Sequence, residues 1–172
     1  TGVRTAISGK SVDTEASYPF RIYYPGRFFV DNGFIYYYDR TPTPERFLKI
    51  NTTTGERSEW FNNNAPDHKY DLRVIASLDY DPASGSLFVL DDALDAVFKI
   101  ETKNAFKRSP VASNGEVSES TQLNLSSATS LNWDQAQQRL LVTNPREGTI
   151  NAFDLVNGNV SLFCNFGVQD PN

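Results

Sequence analysis

Methionine is missing from the 172 residues, and cysteine and histidine occur once each, as Cys164 and His68. A lone cysteine forms no internal disulfide, so no disulfide framework holds the fold. A lone histidine excludes every site that takes two imidazoles. Basic residues are also scarce, 16 against 21 acidic, for a formal net charge of −5. That leaves no basic footprint for a nucleic-acid duplex, and nucleic acid is not an expected partner. No apolar run approaches the roughly 18 residues of a membrane-crossing helix, so no membrane span is expected. A Gly-rich phosphate loop, a Gly-x-Ser-x-Gly elbow and any capped stretch of helical period are missing too. What is abundant is aromatic: 12 Phe, 8 Tyr and 2 Trp, a bias towards strands.

The opening, Thr1-Gly2-Val3, has neither an initiator Met nor the basic-then-apolar start of a signal peptide. A removed leader and excision from a larger chain both fit. Three Asn-x-Ser/Thr sequons begin at Asn51, Asn124 and Asn159. This composition gives about two by chance, so they decide little by themselves. The expectation is an extracellular or secreted protein, with a cytoplasmic fragment as the alternative.

The main signal is a repeat of about fifty residues. Ile35-Tyr36-Tyr37-Tyr38-Asp39, Leu87-Phe88-Val89-Leu90-Asp91 and Leu140-Leu141-Val142-Thr143-Asn144 are pentads of apolar, aromatic or β-branched residues closed by Asp or Asn. Ser77-Leu78-Asp79-Tyr80-Asp81 precedes the second pentad as Ser130-Leu131-Asn132-Trp133-Asp134 precedes the third. After the pentads come Phe47-Leu48-Lys49-Ile50-Asn51, Val97-Phe98-Lys99-Ile100-Glu101 and Ile150-Asn151-Ala152-Phe153-Asp154. Three elements recurring in order at one period define a repeat.

Each unit reads as short antiparallel strands. The apolar runs are four or five residues long and bounded by Gly, Pro, Asn and Asp. Asn32-Gly33, between Phe28-Phe29-Val30 and Phe34-Ile35-Tyr36, predicts a hairpin whose turn needs φ > 0 at both positions. Asp81-Pro82-Ala83-Ser84-Gly85, Thr52-Thr53-Thr54-Gly55 and Asn157-Gly158 read as further turns. The pentads are apolar at every position, so their sheets must be covered on both faces. Four-stranded sheets stacked face to face about an axis make a β-propeller. The expected fold is all-β, a single propeller-like domain with units at about 20–62, 73–112 and 127–166. Residues 1–17 are expected to be flexible, and Ser109 to Ser127 to form a loosely held outer edge and connection.

The pentads, preceded by Leu-x-Tyr/Trp-Asp and a turn, resemble six-bladed propellers of the NHL, YWTD and SMP-30/gluconolactonase type. The resemblance covers about residues 27 to 165. Three units fall short of the four to eight blades that close a ring. Other chains, a larger parent chain, or a fourth blade built from the termini would complete it. In the last case Phe20 to Tyr24 and Val160 to Cys164 would supply strands.

The enzymes of the resembling group hold a divalent metal on the propeller axis. The resemblance therefore implies weak metal candidates at the pentad ends, Asp39, Asp91 and Asn144, with calcium as the possible ion. The family's Asn-Gly ligand dipeptide is replaced here by Thr129-Ser130 and Ala76-Ser77, and the family's amidating lyases use His ligands that one histidine cannot supply. Asp79 to Gly85 lacks the further acids of a calcium loop and reads as a turn. Asp91, Asp92 and Asp95 form an acidic cluster that reads as a solvated loop. His68 lies in a polar connection and Cys164 in an apolar run, so neither is read as catalytic. No cofactor and no catalytic residue is assigned.

Aromatics crowd the first quarter. Tyr23, Tyr24, Tyr37 and Trp60 are the binding candidates, because exposed rings anchor partner chains or stack on sugars. The function expected first is a non-enzymatic module for protein–protein contact or structural assembly, including self-association. A metal-dependent hydrolase or lyase and a carbohydrate-binding propeller, with a glycan partner, are the alternatives.

Overall fold

The computed structural model describes residues 27–39, 46–62, 70–114 and 121–166. Among the described residues there are thirteen strands and no helix. The expected flexible start, Tyr23, Tyr24, His68 and the proposed strand at Phe20 to Tyr24 lie outside them. The chain divides into two compact units, Thr1–Pro66 and Asp67–Asn172.

The first unit holds one antiparallel sheet in the order β1 (Phe28–Asp31), β2 (Phe34–Asp39), β3 (Arg46–Asn51), β4 (Arg57–Asn62). The β1–β2 turn carries φ 45° at Asn32 and 78° at Gly33, the left-handed pair that Asn-Gly predicts. Register puts Phe28, Tyr37 and Leu48 on one face and Phe29, Tyr36 and Lys49 on the other. Tyr37 and Leu48 are buried.

The second unit holds two sheets. The middle sheet runs β5 (Ile75–Asp81), β6 (Ser86–Asp91), β7 (Ala96–Glu101), β8 (Lys107–Ser113), with a two-residue parallel strand, β9 (Thr121–Gln122), beside β8. The last sheet runs β10 (Ser130–Asp134), β11 (Arg139–Asn144), β12 (Thr149–Asp154), β13 (Val160–Asn165). Each pentad is the second strand of its sheet.

The repeat extends to an irregularity that the sequence does not announce. The ladder between the third and fourth strands slips at Phe47/Leu48, at Val97/Phe98 and at Ile150/Asn151. These are matching places in the three repeats. A bulge bends a strand and increases its twist, so all three sheets turn their outer strand at the same level.

The middle and last sheets share one core. Phe88, Leu90 and Val97 of the middle sheet meet Leu131, Leu140, Val142 and Phe153 of the last, and the rings of Phe88 and Trp133 stack at 5.1 Å. Burying each of the larger side chains stabilises by about 1.5–3 kcal/mol. Every one of these residues comes from a single face of its sheet, as the registers require.

The connection after β8 departs from expectation. Lys107–Ser113 is a regular strand, and Leu123, Leu125 and Ala128 are buried in the shared core. Asn114 anchors this stretch, accepting from the Leu125 N–H at 2.5 Å and donating to Asp95 at 2.9 Å. The leucines join the core that the two sheets share. They alternate with Asn124 over three residues only, too short a run to mark a strand.

Candidate functional site

The closing residue of each pentad stands at the end of the second strand, as the resemblance requires, and all three are buried: Asp39, Asp91 and Asn144. Their surroundings differ. Asp39 accepts from Arg46 Nη2, its neighbour across the β2–β3 ladder, at 3.2 Å.

Asp91 is a backbone clasp. Its Oδ2 accepts from the Arg73 N–H at 2.5 Å, and its Oδ1 from the N–H groups of Val74, Ala93 and Leu94 at 3.2, 3.0 and 3.2 Å. One carboxylate thus holds the chain entering β5 and the turn leaving β6.

Asn144 makes the same two attachments with altered polarity. Its Nδ2 donates to the Ser126 carbonyl at 3.0 Å, and its Oδ1 accepts from the Glu147 N–H at 3.3 Å. Ser126 lies 18 residues before Asn144, as Arg73 lies 18 before Asp91. Where the incoming chain offers N–H groups the residue is Asp. Where it offers a carbonyl the residue is an amide, because only an amide donates.

The other acidic positions close turns. Asp81 accepts from Ala83 N–H, Ser84 N–H and Ser84 Oγ, at 3.1, 3.3 and 2.6 Å. Its counterpart Asp134 accepts from Gln137 N–H at 3.2 Å and Arg139 Nε at 2.9 Å. The Asp79 to Gly85 segment is therefore a side-chain-capped turn, with Gly85 at φ 74°. Asp92 is exposed and Asp95 half-buried. Among the described residues, no three His, Cys, Asp or Glu side chains gather closely enough to hold a metal ion.

A second polar arrangement joins the two sheets of the second unit, and the sequence reading did not single it out. Ser77 Oγ accepts from the Leu131 N–H at 3.1 Å, and its hydroxyl lies 3.4 Å from the Leu131 carbonyl. Asp79 Oδ2 accepts from the Trp133 N–H at 2.7 Å. Two side chains of β5 thus clamp the free edge of β10, the first strand of the next sheet. Ser-x-Asp at the head of the repeat is the only signal that could have pointed to it.

The aromatic candidates are built into the first sheet. Tyr37 is buried. Trp60 is half-buried within a ring cluster, 4.5 Å from Tyr36 and 5.9 Å from Phe29. Tyr36 and Tyr37 point to opposite faces, as strand alternation predicts. Large apolar side chains are exposed elsewhere: Phe28 and Val30 on β1, Val156 in the β12–β13 turn, Val160, Leu162 and Phe163 on β13, and Phe166 just after it. Among the described residues the middle sheet exposes none of this kind.

One buried cation lies in the second unit. Arg108 Nη1 donates to the Tyr70 carbonyl at 2.7 Å. Burial lowers its pKa from its ordinary value to about 10, against the opposing pull of Asp71. At the other extreme, the Asn104 amide leads the influences that hold the Glu101 carboxyl below its ordinary range.

No protein-family model matches the chain, and no curated protein matches it. Solved structures do. A chain of the nidogen–laminin complex superposes with a TM-score of 0.53 at 14% identity, over 76% of this chain and 43% of that one. An auxiliary nutrient binding protein from Bacteroides ovatus gives 0.51 at 12% identity, over 79% and 29%. A protein of unknown function from Bacteroides thetaiotaomicron gives 0.52 at 9% identity, over 84% and 32%. The chain thus spans less than half the length of these structures. At such identities the likeness concerns the fold alone, and with three repeated antiparallel sheets it identifies this chain as part of a β-propeller.

Proposed function

We propose that this chain is a non-enzymatic propeller module that works through protein–protein contact and assembly. The observation that carries this reading is the distribution of exposed apolar side chains. Among the described residues they lie at the first strand of the first sheet and the end of the last, with none on the middle sheet. Exposed apolar side chains gathered on one strand mark contact sites rather than solvent faces. The pentad ends support the same reading, since Asp91 and Asn144 direct their polar atoms to backbone groups and secure loops. A structural neighbour from a complex between two proteins, nidogen and laminin, is consistent with it.

Two measurements test the reading. Binding of an apolar-surface dye is expected to fall when Phe28, Val30 and Leu162 are changed to Ser together, with the fold retained by circular dichroism. Calcium or zinc at about 1 mM, a concentration that saturates weak oxygen sites, is expected to leave Tm unchanged. A rise of several degrees that Asp39→Asn abolishes would replace this reading with the metal-dependent hydrolase or lyase.

A further inference from the structure

We propose that the face of the last sheet turned away from the middle sheet receives β1 of a second copy of this chain, head to tail. The proposal rests on the assembly reading above and names the occupant and the residues. It continues an interface already present in the molecule, the one between the middle and last sheets.

The receiving half is set by the repeat. In the middle sheet, Ser77 and Asp79 lie on the face that carries Phe88, Leu90 and Val97, and they clamp the β10 backbone at Leu131 and Trp133. Fifty-three residues later the same places hold Ser130, Asn132, Leu141, Thr143 and Ile150. Register puts these five on one face of the last sheet, opposite the face packed on the middle sheet. Asn132 is exposed, and Ser130 lies within 3.5 Å of the Asn132 Oδ1. The clamp pair is thus present with no strand between its jaws among the described residues. Asn in place of Asp keeps an acceptor for a backbone N–H and carries no charge to desolvate.

The inserting half lies on β1. The pairs Phe28↔Tyr37 and Val30↔Ile35 stand in the repeat where Leu131↔Val142 and Trp133↔Leu140 stand in the last sheet. Phe28 and Val30 are therefore the counterparts of Leu131 and Trp133, the residues whose N–H groups the middle sheet clamps. Along an antiparallel strand, alternate residues turn their N–H to the same edge. β1 accordingly offers two N–H groups at the spacing that Ser130 and Asn132 await. At the edge strand the side chains agree with the backbone: Leu131 is 1% exposed against the middle sheet, whereas Phe28 and Val30 are each 61% exposed, although Tyr37 and Leu48 farther in on that face are already buried. Each chain carries one receiving face and one inserting strand.

Sedimentation velocity over a dilution series up to about 0.2 mM, a range that detects Kd values into the tens of micromolar, tests this. The expected result is a concentration-dependent dimer. Leu141→Asp in the receiving face and the pair Phe28→Asp, Val30→Asp in the inserting strand should each abolish it, while an equimolar mixture of the two variants, retaining one intact contact, should sediment as a dimer. A cross-link provides a readout should an aspartate variant not fold. In a Cys164→Ser background, Val30→Cys and Asn132→Cys chains are expected to form a disulfide-linked dimer when mixed and oxidised, and neither alone. A monomer throughout the range overturns the proposal and assigns the face to a partner other than a second copy, leaving the protein-contact reading in place. A dimer that survives the β1 substitutions also overturns it, since the last sheets would then be packing on each other.

Discussion

The second strands of the middle and last sheets make an informative pair. Ser86–Asp91 is buried at all six positions, whereas Arg139–Asn144 alternates between half-buried and buried. The two stretches are closely similar in sequence: Leu140, Leu141 and Val142 answer to Leu87, Phe88 and Val89. The alternation therefore arises from surroundings rather than composition. The buried set of β11, Leu140, Val142 and Asn144, faces the middle sheet or its connections, and Leu141 and Thr143 face away. A strand written for cover on both sides here has cover on one.

The same two sheets use different chemistry at one position, and substitution there gives the largest expected effects. Asp91→Ala strands the N–H groups of Arg73, Val74, Ala93 and Leu94, and should cost about 3–5 kcal/mol in urea unfolding. Asn144→Asp sharpens the contrast by placing a carboxylate oxygen against the Ser126 carbonyl. It should cost about 2–3 kcal/mol at neutral pH. The new carboxyl would have a raised pKa in the folded state, so its deficit should shrink as pH falls and the acid proton becomes available to the carbonyl. A deficit independent of pH would show that the amide works by shape alone.

Smaller effects come from the clamp between sheets. Ser77→Ala leaves the Leu131 N–H without its acceptor and should cost about 1–2 kcal/mol, while Ser130→Ala in the isolated protomer should be nearly neutral. Equal costs would break the comparison between the two faces. The smallest effect concerns Arg108. Its folded pKa of about 10 lies below its ordinary value, so above pH 10 the unfolded chain holds more protons than the folded one. Stability relative to Arg108→Met should therefore rise as pH passes upward through 10, measured by denaturant titration at pH 9 and 11. A difference that stays flat would show that the guanidinium is better solvated than its burial suggests.

Much of the architecture was legible in the chain, for local reasons. Asn32-Gly33 has few alternatives to a hairpin, and the pentads, too short for helices and apolar on both sides, require stacked sheets. The three bulges were not legible, since no residue type marks Phe47/Leu48, Val97/Phe98 and Ile150/Asn151 in common. Leu123 and Leu125 were missed because two apolar residues in a polar stretch are too few to mark a buried segment. At the candidate site, the positions of Asp39, Asp91 and Asn144 could be read, but not their partners. The choice between Asp and Asn depends on whether a loop 18 residues upstream presents hydrogen or oxygen, and side-chain identities alone do not reveal that. The prominence of Tyr37 and Trp60 likewise reflected aromatic content, which does not say that Tyr37 is buried while Trp60 stays half-exposed among other rings.

The exchange of Asp91 for Asn144 bears on any attempt to engineer this scaffold. A consensus module, averaged from the natural modules and then tiled, would write one residue at both places. Whichever letter won, half of the joints would set like against like, oxygen to oxygen or hydrogen to hydrogen. Modules should therefore be transplanted whole, each with the loop that precedes it by 18 residues, so that lock and key travel together.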